Sequence, residues 1–394
     1  MFNPIKKYFT WSSKNTLLLA FASLFTDIST EMLYPILPIF LTQTLLSTGS
    51  VVGLIEGIAQ ATQNITQGLS GWLSDKLKRR KSIALIGYFL AAIAKPLMGV
   101  SIMWEGVLSA RFLDRFGTGM RSAPRDALIA SSVTVENRGK AFGLEGVGDN
   151  LGAFLGPLLA VFLLGVMHMK IRFIFYLAVI PGLLAFILIL FVKERLIPIK
   201  AEYKLDTKFS RFPKVYWNYL FLIALFSIGN SSNAFLILQA HDLGASIKTT
   251  ILIYAVFNLV SALISYPAGF FSDLFGRKYI LLSSFIIFFI TYLGFALTHH
   301  IFLIAILFIF YGLYQGIFRS IGKSLAIDFV PKELHASGIG WYSATLGLFQ
   351  LIASIIAGIL WDNINHEAVF IYGAVFSLIG CIALLWLIPE KQRL

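Results

Sequence analysis

Apolar runs of about 18 to 28 residues, separated by short polar or basic breaks, follow one another from end to end of the chain. Each can cross roughly 30 Å of hydrocarbon as a helix. Read by run and breaker, the helices fall near 15–42, 51–72, 83–101, 105–132, 140–167 and 172–192. A second set follows near 216–240, 248–271, 279–297, 302–326, 338–361 and 368–388. The prediction is an all-α polytopic membrane protein of about twelve transmembrane helices. Short alternating strands, the mark of a membrane β-barrel, do not occur.

Composition agrees: the 394 residues are 57% hydrophobic and 13% charged, with a mean hydropathy of +0.79, too apolar for a soluble domain. The basic residues behind the net charge of +12 cluster in certain breaks between runs, so they mark loops and not a nucleic-acid surface. "DKLKRRK" follows the second span, "KERLIPIKAEYKLDTKFSRFPK" joins the sixth to the seventh, and Lys6, Lys7 and Lys14 precede the first. By contrast, "LTHHIF" and "WDNINHE" lack Lys and Arg, and the exceptions Lys170, Arg172 and Lys248 are few. The asymmetry predicts a multi-pass protein of a cell inner membrane with both termini cytoplasmic. No small-residue cleavage site follows the first run, so that helix is expected to stay. Cys381 is the single cysteine, which excludes an internal disulfide or a cysteine metal cluster.

The basic linker at 193–215 divides the chain into an N-terminal six-helix bundle (1–192) and a C-terminal one (216–394), expected to be pseudo-symmetric. "GWLSDKLKRRK" at 71–81 and "GFFSDLFGRKY" at 269–279 repeat at an offset of 198 residues, and the same offset carries Arg121-Ser122 onto Arg319-Ser320. Duplicated halves of this kind build alternating access around a site near the midplane.

Over essentially its full length the chain resembles the major facilitator superfamily, in its drug/proton antiporter-like, twelve-helix branch. The family's loop motif, G-x-L-[AS]-D-x-x-G-R-[RK], is matched at Gly71, Leu73, Ser74, Asp75, Arg79 and Arg80, with Lys78 in place of a glycine. It recurs at Gly269, Ser272, Asp273, Gly276, Arg277 and Lys278. The resemblance implies a conformational latch made of Gly71, Asp75, Arg79, Arg80, Gly269, Asp273 and Arg277. Arg125 and Asp126, close to the same loops, are read as an ion-pair part of it. In the fourth span Arg111 matches the family pattern R-x-x-Q-G, while Asp114 and Arg115 replace its Gln and Gly. In the fifth, Gly143, Gly152, Gly156 and Pro157 fit part of an antiporter pattern that leans toward exporters, with Ala160 and Val161 replacing its final glycines.

Intramembrane carboxylates are costly, so each needs a partner, water or a purpose. Asp27 and Glu31 lie on one face of the first span. Counted at 1.5 Å per residue, their depths match those of Arg115 and Arg111 in the fourth span, and helices 1 and 4 line the cavity in the family. That network and Asp149 in the fifth span are the proton-coupling candidates, with Asp27 nearest the midplane. Glu56 and Lys95 share a depth and are read as a structural salt bridge. The seventh span, "FSIGNSSNAFLILQ", has no acid but offers neutral hydrogen bonding. With "YGLYQGIFRS" of the tenth span it supplies the substrate-binding candidates Asn230, Asn233, Tyr311, Tyr314, Gln315 and Arg319.

No nucleotide loop, nucleophile elbow or nucleic-acid module is present, and His299-His300 lacks a third metal ligand. The expectation is a non-enzyme without cofactor or metal: a proton-coupled secondary active transporter of a small organic solute, exporting by alternating access. Its partners would be the solute, protons and the lipid bilayer, with no nucleic acid, and it would act as a monomer. The alternative is a proton-coupled importer of an anionic metabolite, nutrient or siderophore-like chelator.

Overall fold

The structure is a computed structural model that describes residues 13–77, 79–134, 137–194, 212–331 and 334–388. The described residues are predominantly helical, with no strand among them. In the first half the helices are α1 (Lys14–Glu31), α2 (Leu37–Ile39), α3 (Gly49–Leu77), α4 (Arg80–Val100), α5 (Trp104–Ser131), α6 (Arg138–Gly165), α7 (Ile171–Leu177) and α8 (Val179–Leu190). In the second they are α9 (Lys214–Gly229), α10 (Ala234–Asp242), α11 (Ile247–Phe275), α12 (Arg277–Leu297), α13 (Ile301–Asp328), α14 (His335–Asn363) and α15 (His366–Leu387). Among the described residues, nine helical segments are long and apolar enough to span a membrane. The three predicted spans outside that set are α1, α3 and α5. These hold Asp27 and Glu31, Glu56 with a run of Gln and Asn, and the arginines from Arg111 to Arg125. Chemistry has displaced hydrophobicity there.

Two spans expected to be continuous are broken. The first run ends as α1 at Glu31, turns through residues 32–36, and resumes as α2 followed by a π-helical turn at Phe40–Thr44. Pro35 lacks a backbone N–H and biases Tyr34 away from the helical region, so the helix stops there; Pro38 sits at the start of α2, where a missing N–H costs nothing. The seventh run breaks between α9 and α10 at Asn230–Asn233, where Ser232 Oγ accepts a hydrogen bond from the Ala234 N–H (3.2 Å) and offers the backbone a non-helical alternative. The breaks correspond under the 198-residue repeat. Tyr34 Oη lies 3.4 Å from Ser232 Oγ, and Gln43 is hydrogen-bonded to His241, each pair 198 positions apart.

The described residues gather into two compact units. One comprises the described parts of Met1–Leu33, Thr66–Ser101 and Ser109–Lys204; the other comprises Tyr34–Ile65, Ile102–Leu108 and the described parts of Leu205–Leu394. The boundary therefore cuts through α3 and α5 and does not coincide with the linker. In the first unit Leu19, Ala22, Tyr88, Ile129 and Ile189 form a buried core. Glycines at four-residue spacing along α6 bring it onto α1. A Cβ on Gly148, Gly152 or Gly156 would meet Ala20 O at 2.5 Å, Leu24 O at 2.6 Å or Ile28 O at 2.8 Å. Gly143, part of the antiporter pattern, faces open space.

In the second unit, stacked rings fill the interior, with Phe226 on Phe285 and Phe288 on Tyr292, each at 3.9 Å between centroids. The first stretch of α3 packs on α14. Gly53 presses against the Ser354 carbonyl, where a Cβ would come within 2.1 Å, and the Asp362 carboxylate accepts from the N–H groups of Gly49 (2.8 Å) and Ser50 (2.7 Å). A carboxylate at a helix N-terminus satisfies donors that have no intrahelical partner.

Candidate functional site

The second unit contains a cavity of about 160 Å³ at the two helix breaks. The interrupted α9–α10 segment contributes Asn230 to Asn233, and α13 contributes Tyr311, Tyr314, Gln315, Phe318 and Arg319. Tyr34 enters from the break after α1, Glu56 and Gln60 from α3, and Leu346, Gln350 and Ser354 from α14. All six residues singled out in the seventh and tenth spans therefore line one cavity. Broken helices make this possible, because irregular backbone at membrane depth is tolerated where it lines a cavity.

The wall is organised before any solute arrives. Asn230 Nδ2 donates to Tyr314 Oη (2.8 Å), Tyr311 Oη donates to Asn233 Oδ1 (2.8 Å), and Asn233 Nδ2 reaches Gln315 Oε1 at 3.5 Å. Tyr34 stacks on Tyr254 at 5.4 Å, which fixes its ring beside the opening. Sequence reasoning missed Tyr34, Gln60, Gln350 and Ser354, since nothing in a helical sequence says which azimuth faces inward. It read Glu56 as a structural partner of Lys95. Instead Glu56 is buried on this wall, and the ion pair of Lys95 is with Asp114.

The first unit holds the charges, in two groups. Asp114, 1% exposed, lies 3.3 Å from Lys95 Nζ, 3.1 Å from Arg111 Nη1 and 3.5 Å from Arg115 Nε. Arg111 and Arg115 thus have an acid on their own helix, a partner that counting their depth against Glu31 and Asp27 did not supply. In the other group Arg125 Nη1 lies 2.8 Å from Glu145 and 3.7 Å from Asp149, and Arg125 donates to Asp126 (3.0 Å) and Ser23 (2.9 Å). Ser23 Oγ in turn donates to Glu145 (3.1 Å). Asp27 sits where Gly152 lets α1 and α6 meet, and the charges acting on it are Asp149, Arg121, Glu31 and Arg125. The guanidinium of Arg121 lies over the Tyr88 ring, 4.7 Å from its centroid. Glu145 was the missed member; its signal was a position four residues before Asp149, on the same helical face.

Of the loop residues, Arg277 pairs with Asp328 (2.6 Å) and Asp273 (3.7 Å). Gly276 has φ +95°, a conformation open to glycine, where the first copy carries Lys78; Lys78 and the Asp75 side chain lie outside the described residues. Gly71 approaches Ala123 of α5, whereas Gly269 has no neighbour close enough to require a glycine. Arg79 and Arg80 start α4, where the N–H of Arg80 donates to Glu194 (2.8 Å). Asp126 is held by Arg125. One lysine at the start of α4 and one at the start of α12 play similar parts: Lys81 Nζ donates to Leu190 O (2.7 Å), and Lys278 Nζ to Ile388 O (2.6 Å). Both cations cap the carboxyl end of their half's last helix.

Comparison with known proteins agrees with this architecture. An uncharacterised MFS-type transporter of Methanocaldococcus jannaschii is 34% identical over 382 residues, 95% of each chain. The quinolone resistance protein NorA of Staphylococcus aureus is 31% identical over 157 residues, 40% of this chain and 39% of that protein. Among solved structures, the nucleoside transporter NupG superposes with a TM-score of 0.77 at 15% identity, covering 95% of this chain and 99% of that one. A POT family transporter in complex with a thioalcohol-conjugated peptide gives 0.81 at 12% identity, covering 96% and 97%. At such identities the likeness is one of fold. The family model described as Major Facilitator Superfamily matches residues 19–238 and 219–394. This match, the duplicated loop motif and the two sets of six spans leave one conclusion: the chain is a polytopic transport protein that belongs to the Major Facilitator Superfamily.

Proposed function

We propose that this protein is a proton-coupled secondary active transporter that exports a small organic solute by alternating access. The observation that carries the coupling is the cluster of Asp27, Glu145 and Asp149 with Arg121 and Arg125 inside the first unit. Holding three carboxylates, Glu145 buried and Asp27 and Asp149 half-buried, among two guanidiniums at membrane depth is expensive unless their protonation is used. Asp27, at the α1–α6 contact, exchanges the proton, and Glu145 and Asp149 compete for Arg125 as it does so. The solute binds in the cavity lined by Asn230, Asn233, Tyr311, Tyr314, Gln315 and Arg319. The partial likeness to NorA supports export. The polarity of the cavity and Arg319 favour the second reading, an importer of an anionic metabolite, nutrient or chelator. In either case the protein works as a monomer in a cell inner membrane with both termini cytoplasmic. Its halves, 1–192 and 216–394, are joined by the linker at 193–215, and the two loop motifs latch the cycle.

Comparing metabolites inside and outside cells with and without the gene identifies the solute and its direction. Purified protein in liposomes then tests coupling: transport follows an imposed proton gradient and collapses with a protonophore. Asp27→Asn retains a folded protein but loses gradient-driven transport. Equal transport with and without the gradient defeats the proposal, and unchanged transport by the variant removes Asp27 from the mechanism.

A further inference from the structure

The cavity at the helix breaks is small and mostly polar. Its volume of about 160 Å³ lies below the roughly 300–1,000 Å³ of sites for drug-sized ligands and equals the liquid share of about five waters. A compact solute fits such a space and a bulky lipophilic one does not. Much of the wall is satisfied from within the protein, since Asn230 bonds Tyr314, and Asn233 bonds Tyr311 and Gln315. Glu56 is likewise already engaged within the protein. What the solute must supply is set by the groups that remain open.

Arg319 is the first of these. It is exposed on α13 where that helix lines the cavity, and it has no hydrogen bond or ion pair among the described residues. An arginine inside a membrane span faces a water-filled cavity or a counter-ion, and its planar fork matches a carboxylate through two parallel hydrogen bonds. The other charged side chain of the wall is an acid, so the second charge of a dianion finds no cation there. The next open group is Oε1 of Gln350 on α14, buried and without a hydrogen-bond partner among the described residues. An amide oxygen only accepts, so the solute has to bring a donor, which a carboxylate does not carry. A cationic donor would add a charge that Glu56, already engaged, does not answer. Hydroxyl groups donate without a charge, and the amide of Gln60 on α3 can both donate to them and accept from them. A solute without such groups leaves the buried acceptor stranded, which opposes its binding.

Resting on the reading that solute passes through this cavity, we propose that the transported class is a small hydroxylated monocarboxylate, with Arg319 receiving the carboxylate and Gln350 a hydroxyl. Arg319 then selects for a single negative charge, and Gln350 selects for hydroxyls on the carbon chain. The class excludes lipophilic drugs and large chelators, whatever the direction of transport.

The test is equilibrium binding to the full-length protein in lipid nanodiscs, without a gradient, so its outcome is independent of proton coupling. The probes are hydroxy acids from glycerate to gluconate and glucuronate, each beside its methyl ester and its unhydroxylated acid, with glucarate as a dianion. The expected result is saturable binding of at least one hydroxy acid, weakened tenfold or more in the ester, in the unhydroxylated acid and in the dianion. Arg319→Gln weakens the hydroxy acid tenfold or more and leaves the ester unchanged. Gln350→Leu weakens the hydroxy acid and leaves the unhydroxylated acid unchanged. Thermal unfolding of both variants establishes that they are folded, and the selectivity of the unaltered protein is read without either. Binding of no hydroxy acid, equal binding of the ester or the unhydroxylated acid, preference for glucarate, or an Arg319→Gln variant that binds the acid undiminished overturns the proposal. Failure of the liposome gradient experiment alongside this selectivity would remove coupling and leave the assignment standing. Gradient-driven transport of a solute outside the class, with no hydroxy acid bound, would do the reverse.

Discussion

Asp114 serves three cations at once, and its replacement is correspondingly severe. Asp114→Asn leaves Lys95, Arg111 and Arg115 without their shared counter-charge in a buried setting, at a cost of about 3–5 kcal/mol. Lys95→Met removes one cation but leaves the carboxylate with two guanidiniums, so its loss is smaller. Thermal unfolding of the two variants in detergent orders them, and equal stability would show that the three cations do not depend on Asp114. This group is distinct from the one around Asp27, where the acids outnumber the cations that serve them. The same residue type therefore stands for structure in one place and for proposed chemistry in the other. The difference lies in the neighbours, which one-dimensional depth counting does not see.

At the scale of elements, the crossing of α1 and α6 brings Asp27 among its charges, and it depends on side-chain-free surface. Gly152→Ala places a methyl group against the Leu24 carbonyl and the Asp27 Cβ, and Gly156→Ala places one between Ile28 O and Met32 N. Backbone cannot swing aside as a side-chain tip can. Each variant should therefore lose about 1–3 kcal/mol of stability, read as a lower melting temperature and folded yield. Gly143→Ala meets nothing within contact distance and should be neutral, or gain up to ~1 kcal/mol from helix propensity. Equal sensitivity at 143 and 152 would contradict the crossing described here. The antiporter-like glycine pattern was thus only partly informative. It contained Gly152 and Gly156, whose partners are backbone, but also Gly143, and it omitted Gly148.

For the whole molecule, the repeat is expressed as two helix breaks that touch through Tyr34 and Ser232, and the polar cavity lies at those breaks. Nearby, α3 of the first half rests on α14 of the second through Gly53 and Ser354, with Asp362 closing the end of α3. If transport proceeds by alternating access, this contact has to part in each cycle. Cysteines at Gly53 and Ser354, placed in a Cys381→Ser background, should cross-link on oxidation, stop solute movement, and recover it on reduction. Undiminished transport by the cross-linked protein would show that the contact is permanent.

The sequence by itself determined what repeats along a helix axis: the spans and their order, the duplicated loops, and the clustering of Asn, Tyr, Gln and Arg in the seventh and tenth runs. Hydrophobic run length and motif offset are properties of a line, and a cavity built from two short polar segments can be read from that line. The breaks at Pro35 and at Asn230–Asn233 lay in plain view, but apolar flanks on both sides disguised them as continuous spans. Only the tertiary structure decided azimuth and partner. It gave Lys95 to Asp114 and not to Glu56, put Glu56 on the cavity wall, and set Asp27 against Gly152 at the crossing of α1 and α6. Depth along a helix follows from counting residues; which face meets which neighbour follows from packing, and there the glycines, bends and neighbouring charges act together.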